Sequence, residues 1–184
     1  MMRILVAYET AHGSTRETAE AIAEVLRERG AEVDVVRCRD VESVEGYDVF
    51  VVGAPVWAGN WLKPARRFVA RHEDALASHP TAYFHCSAAA GGDESREEVA
   101  EQMAPRLRRY ANSVEPVSVG NLAGVVDYSR YNLAVRLIMQ AIMGRQRQPT
   151  EGRHDYRDWE RIRGWAASVY DTFAERLNSA DTGP

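Results

Sequence analysis

Apolar residues in the first two thirds of the chain come in short unbroken runs, and most runs are followed by a stretch in which apolar positions recur at helical spacing. An unbroken run marks a strand buried on both faces of a parallel sheet, whereas the 3.6-residue period marks a helix packed by one side. Ile4 to Tyr8 is the first run. The helix after it is predicted from Ser14 to Arg29, with Ala19, Ile22, Ala23, Val25 and Leu26 on its buried face and Gly30 ending it. Strand two, Glu32 to Arg37, alternates and therefore belongs near an edge, while strand three, Asp48 to Gly53, is as apolar as the first. A helix follows at Leu62 to Arg71, then strand four at Thr81 to Ser87, a helix at Asp93 to Tyr110, and strand five at Val114 to Val119. This β-α repetition predicts an α/β domain whose loops after strands one, three and four meet at one edge of a parallel sheet.

Beyond Gly120 the pattern changes. Tyr128-Ser-Arg-Tyr131 leads into an apolar helix, Asn132 to Met143, then a polar loop from Gly144 to Gly152 and a last helix from Tyr156 to Leu177. In that last helix Trp159, Ile162, Trp165, Ala166, Val169, Tyr170, Phe173 and Leu177 form a wide stripe expected to be buried. Residues 1–177 are expected to form one domain, with 178–184 a disordered tail.

Composition narrows the function. The 184 residues carry a net charge of −4, which makes no general case for nucleic-acid binding, and the basic residues are 22 Arg against one Lys, Lys63. From Tyr128 to Thr150, however, Arg130, Arg136, Arg145 and Arg147 occur with no acid among them. Cys38 and Cys86 lack the spacing of a metal or redox pair and read as buried free thiols, with no metal expected. No leader pattern precedes the first strand and no apolar run is long enough to span a bilayer, so a cytoplasmic protein is expected.

The candidate chemistry lies in the three loops. After the first strand come Thr10, His12, Gly13, Ser14 and Thr15. A helix N-terminus with unpaired N–H groups attracts an anion, Gly13 permits close backbone approach, and the hydroxyls add donors. The loop has neither GxxxxGKS/T nor GxGxxG, which suits a monophosphate better than a nucleoside triphosphate or a dinucleotide; a helix merely capped by Ser14 or Thr15 is the other reading. The second loop runs Pro55, Val56, Trp57, Ala58, Gly59, Asn60, Trp61. Its tryptophans either cover a flat ligand or pack on the helix that follows. The third loop, with Ser87, Ala88, Ala89, Gly91 and Gly92, leaves room for a ring and offers backbone donors. No general acid or base is assigned: His12 belongs to the first loop, His85 to a central strand and His154 to a variable loop, and a lone histidine is more often structural than catalytic.

With these loops in place the chain resembles the flavodoxin superfamily, His12 standing where the phosphate-loop pattern has a hydroxyl residue. The resemblance implies a doubly wound five-stranded parallel sheet of order 2-1-3-4-5, with an extra helical segment after strand five. It also implies FMN, held by its phosphate on the first loop and flanked at its ring by the second and third. Within the superfamily, Gly120-Asn-Leu122, Tyr128-Ser-Arg-Tyr131, Arg136-Leu-Ile-Met139, Ala141-Ile-Met143 and Asp155-Tyr-Arg-Asp-Trp159 are similar to the menaquinone-dependent protoporphyrinogen IX dehydrogenase group. Arg145-Gln-Arg-Gln-Pro-Thr150 replaces that group's Gly-Gly-x-Thr-Asp-Thr segment. This likeness implies an FMN oxidoreductase acting on a tetrapyrrole with a quinone as acceptor. Tyr128, Arg130, Tyr131, Arg136, Arg145 and Arg147 would then meet substrate or the inner face of the membrane, or else form a solvated face. The alternative function is a flavodoxin-like carrier passing electrons between proteins.

Overall fold

The computed structural model describes residues 1–87, 93–145 and 148–181. Its main sheet is built from β1 (Arg3–Tyr8), β2 (Glu32–Arg37), β3 (Val49–Trp57), β5 (Thr81–Ser87) and β6 (Ser118–Ala123), in the order β2-β1-β3-β5-β6, with the short β4 (Asn60–Trp61) paired to β3. Every pairing along this path is parallel; Val6, for example, faces Val35 on one side and Val51 on the other. The five long strands therefore follow the expected doubly wound order. β2 and β5 have the predicted limits.

Two hydrophobic layers cover the sheet. On one face α1 (Ser14–Glu28) and α6 (Trp159–Asp181) bury Ile22, Leu26, Ile162, Val169 and Phe173 against Ile4, Val6 and Phe84. The five α1 residues expected in the core are all there. On the other face α2 (Lys63–Arg71), α3 (Glu73–Ser78) and α4 (Asp93–Tyr110) pack Phe68, Leu76 and Met103 on Leu5, Phe50 and Tyr83.

Strand five is displaced from its expected position. Pro116 has no N–H to give, and the pairing with β5 begins with the Val117 N–H donating to Thr81 O at 2.8 Å and continues as β6 through Gly120. Gly120 lies inside the strand because a Cβ there would stand 2.7 Å from the Trp165 ring of α6. Helix α6 is shifted as well. Asp158 caps it by accepting from the Arg161 N–H at 3.0 Å, and the helix continues through Asp181, so residues 178–181 are helical where a disordered tail was expected. Trp159 is partly exposed, with Arg157 4.4 Å over its ring.

The segment after β6 forms a small unit of its own. β7 (Val125–Asp127) pairs antiparallel with β8 (Arg153–Asp155), and between them lie a 3-10 turn (Tyr128–Arg130) and α5 (Leu133–Arg145). Val126, Tyr128 and Met143 make its core. The outer face of α5 is left open: Leu133 and Leu137 are 73% and 58% exposed, while Ile138, 60% exposed, stands at a cavity beyond the carboxyl ends of the strands.

Candidate functional site

The direction of connection reverses between β1 and β3, and in an open α/β sheet the crevice at that point, beyond the strands' carboxyl ends, is where ligands bind. A cavity of about 730 Å³ lies there, within the range of small-molecule sites. Its walls come from the loop after β1, the end of β3, the end of β5, α4, and the unit between β7 and β8.

The loop after β1 is fixed by a residue that the sequence pattern did not single out. Glu9 is fully buried, and its carboxylate accepts from Arg37 Nη2 at 2.8 Å, from Arg39 Nε and Nη2 at 3.1 and 3.0 Å, and from the Thr10 N–H at 3.0 Å. Burial pushes its pKa up, but Arg39, Arg37 and the Thr10 N–H outweigh that and hold the carboxyl below its usual value. The one sign of this in the sequence is an acid directly after an apolar run. Thr10 Oγ1 accepts from the Gly13 N–H at 2.9 Å, which makes Thr10 a brace for the loop outside the cavity wall. Gly13 precedes α1 with φ of 100°, and no side chain caps the helix among the described residues. Arg16 and Glu17 donate back to Gly13 O at 3.0 and 3.3 Å, so the first-turn N–H groups of Ser14 and Thr15 stand at the cavity end. Ser14, Thr15 and the exposed His12 line the cavity.

Behind them is Cys86, whose thiol lies against the Thr18 and Thr15 hydroxyls; burial pushes it up to about 11, so it is an uncharged thiol at neutral pH. Both cysteines are free and buried.

The second loop is a hairpin. Val56 and Trp57 pair antiparallel with Trp61 and Asn60, and the two turn residues Ala58 and Gly59 have φ of 48° and 73°, the signature of a type I′ turn. Ala-Gly is a weaker hairpin signal than Asn-Gly, which is why the sequence read as an irregular loop. The hairpin separates its two tryptophans. Trp57 is 37% exposed and lines the cavity with Pro55, Val56, Ala58 and Gly59. Trp61 belongs to the core, against expectation: its Nε1 donates to His85 Nδ1 at 2.8 Å and its ring packs 5.4 Å from Tyr83. Asn60 also lies off the cavity, bonded to Ala58 O at 3.2 Å and accepting from Tyr110 OH at 3.2 Å.

His85 is buried, and with Nδ1 accepting, its proton sits on Nε2, which finds no partner among the described residues. Burial pushes its pKa down to about 4. A folded value below the ordinary 6.5 means that the unfolded chain binds more protons between the two, so stability is full above about pH 6.5 and falls toward pH 4. Urea unfolding should show a loss of roughly 3 kcal/mol over that window from this group. His85→Gln, which keeps an acceptor for Trp61, should flatten the slope; identical slopes in the two proteins would refute a buried neutral imidazole.

Ser87 is buried at the end of β5 and lines the cavity, whereas Ala88, Ala89, Gly91, Gly92 and Arg147 lie outside the described residues. Of the other residues expected from the 128–150 segment, Arg130 and Tyr131 reach the cavity. Tyr128 does not: it is buried, and its hydroxyl donates to Pro149 O at 2.9 Å. Arg136 and Arg145 are exposed and off the cavity wall. The sequence reading missed the apolar wall, formed by Val99 and Met103 of α4 and by Val135, Met139 and Met143 of α5. Their four-residue spacing within each helix was the available signal. Arg153 of β8 is a second arginine in the cavity lining.

The flavodoxin domain family matches residues 5–153. Protoporphyrinogen IX dehydrogenase (quinone) of Escherichia coli strain K12 is 29% identical over 178 residues, covering 91% of this chain and 94% of its own. The protein of the same name from Leishmania major is 27% identical over 172 residues, covering 90% of this chain and 73% of its own. Among solved structures, a flavodoxin from the domain Archaea superposes with a TM-score of 0.54 at 17% identity, over 94% of this chain and 99% of that one. Oxidised Flavodoxin 1 from Bacillus cereus gives 0.52 at 15%, over 94% and 97%. The likeness to these two structures shows the fold.

Proposed function

Because the chain belongs to the flavodoxin domain family, we propose that it is an FMN-dependent oxidoreductase that oxidises protoporphyrinogen IX and delivers the electrons to a quinone. The observation that carries the reading is a cavity lined by two chemically different sets of residues. One is the N-terminus of α1 at Ser14 and Thr15, free of a side-chain cap among the described residues and suited to a single phosphate; the other is Val99, Met103, Val135, Met139 and Met143, suited to apolar ring systems. FMN, when bound, supplies the transfer of electrons from substrate to acceptor.

The chain's own residues place and enclose the reactants. Ser14 and Thr15 would hold the phosphate, with Gly13 giving the turn that precedes them, and Trp57 would lie against the flavin ring with Pro55, Val56, Ala58, Gly59 and Ser87 around it. Arg130 and Arg153 at the wall suit substrate carboxylates, for which guanidinium is a matched partner. Similarity over nine tenths of the chain to protoporphyrinogen IX dehydrogenases supports this choice of substrate and of quinone. No helix among the described residues is long and apolar enough to cross a membrane. The exposed apolar face of α5, flanked by Arg136 and Arg145, supports docking on an anionic membrane surface where quinone resides.

Flavin titration tests the binding part. The phosphate gains at least two charge-assisted hydrogen bonds, each about 1.5–3 kcal/mol, so FMN should bind about 100-fold or more tighter than riboflavin and with one molecule per chain. FMN should quench tryptophan emission, and Trp57→Ala should weaken binding about tenfold. Equal affinity for FMN and riboflavin would overturn the phosphate assignment, and an unaltered Trp57→Ala the ring contact.

A further inference from the structure

The unit between β7 and β8 is tied to the loop after β1 at three points. Arg130 Nη1 donates to His12 O at 3.2 Å. The Tyr131 ring stands between the ring of His12, at 5.9 Å, and that of Trp57, at 5.4 Å. Arg157, two residues beyond β8, makes the third tie and is the most constrained. Its side chain is 4% exposed, its Nε and Nη2 hold the two Asp155 carboxylate oxygens at 2.8 and 2.5 Å, and its Nη1 donates to Glu17 Oε2 at 2.7 Å and to Ser14 O at 3.4 Å.

The contact with Ser14 O bears directly on the cavity. Ser14 O also accepts from Thr18 Oγ1 at 3.3 Å, and because in a trans peptide the C=O and the next N–H point in opposite directions, Arg157 and Thr18 together hold Ser14 O and with it the direction of the Thr15 N–H. That N–H belongs to the first turn at the cavity end. Arg130 acts likewise on the peptide between His12 and Gly13, whose N–H is bonded to Thr10. We infer that Arg157 is a positioning residue that couples retention of the cofactor phosphate on the first turn of α1 to docking of the 3-10 turn and α5 over the cavity.

This inference rests on the flavin reading above. An anion at the Thr15 N–H polarises that peptide and strengthens Ser14 O as an acceptor for Arg157, whose planar fork is held to the end of β8 by Asp155. Coupling between two sites is reciprocal, so the phosphate steadies the 3-10 turn and α5 as much as they steady the phosphate. Lysine cannot reproduce this. Its single ammonium cannot hold both Asp155 oxygens in a fork while reaching Glu17 and Ser14.

The test measures FMN affinity and hydrogen exchange in α5, with and without FMN, for the wild-type protein, Arg157→Met, Arg157→Lys and Arg163→Met. Arg163, in α6, also makes an ion pair with α1, to Glu24 at 2.5 Å, away from the cavity, and serves as the control for a purely structural tie. In the wild type FMN should slow exchange in α5. In Arg157→Met the FMN dissociation constant should rise about tenfold and the FMN-dependent slowing should vanish. Arg157→Lys should behave in the same direction and carries the test if the methionine variant folds poorly, while Arg163→Met should match the wild type. Wild-type affinity in the Arg157 variants, or weakened binding with the FMN-dependent slowing retained, would overturn the coupling. A wild-type protein that binds no FMN would instead overturn the flavin reading itself.

Discussion

Gly13→Val is expected to abolish flavin retention while leaving a folded protein. A Cβ at Gly13 meets nothing within 4 Å, so there is room for the side chain, but φ of 100° is a conformation that a β-branched L-residue resists. Strain of roughly 1–3 kcal/mol is relieved by rotating the backbone, and that rotation carries away the Gly13 N–H from Thr10 Oγ1 and turns the Ser14 and Thr15 N–H groups from the cavity. The added isopropyl group also stands at the mouth of the first turn, where the phosphate must come close. FMN affinity should fall at least about 100-fold, the share contributed by two charge-assisted hydrogen bonds. Gly30 supplies the matched control, because it follows the same helix with φ of 92° and also has no neighbour within 4 Å of a Cβ. Gly30→Val should lower the melting temperature by a similar amount and leave FMN affinity unchanged. Equal FMN affinity in the two variants would show that the phosphate is not held on the first turn of α1.

The second large effect is expected on the outer face of α5. Leu133 and Leu137 are mostly exposed and lie off the cavity wall, so no packing among the described residues accounts for them. Full burial of a leucine side chain contributes about 1.5–3 kcal/mol, and each arginine close to an anionic surface about 1 kcal/mol. Replacing both leucines with serine should lower partitioning onto anionic vesicles by two orders of magnitude or more. Reversing Arg136 and Arg145 to Glu should weaken it further, and chiefly at low salt, since screening removes that part in the wild type. FMN affinity should not change in either variant. Unaltered vesicle binding in the leucine variant would remove α5 from the membrane contact; a loss of self-association in its place would assign the face to a second copy of the chain.

The sequence was most legible where one physical rule decided the outcome alone. β2 and β5 have their predicted limits, β2 as an alternating segment that starts just after Gly30 and Ala31 and β5 as an apolar run that starts just after Pro80, and the α1 stripe from Ala19 to Leu26 is buried as its period requires. Errors arose where a distant partner overrode a local rule. Gly120 reads as a strand end, yet it lies within β6 because Trp165, forty-five positions later, needs the space of its missing side chain. Trp57 and Trp61 look alike in sequence, and only the hairpin turn at Ala58 and Gly59 sends one ring to the cavity and the other to His85. The Glu9 cluster could not be read at all. Its two arginines come from beyond α1, and no periodicity relates them to the carboxylate. The apolar character of α5 was plain, but the pattern does not say which neighbour covers which side; the structure puts Val135, Met139 and Met143 on the cavity and leaves Leu133 and Leu137 open.

The assignment of this cavity as the reaction site of a quinone-linked porphyrinogen dehydrogenase predicts porphyrin formation. Its most direct test is the appearance of porphyrin fluorescence when FMN-loaded protein is given protoporphyrinogen IX and a menaquinone in anaerobic anionic vesicles. Porphyrin formation that requires the protein and the quinone together, at a rate well above that of free FMN with quinone, is the predicted result. No porphyrin beyond that control, from protein shown to hold FMN, would contradict the account and leave a flavoprotein that exchanges electrons with other proteins.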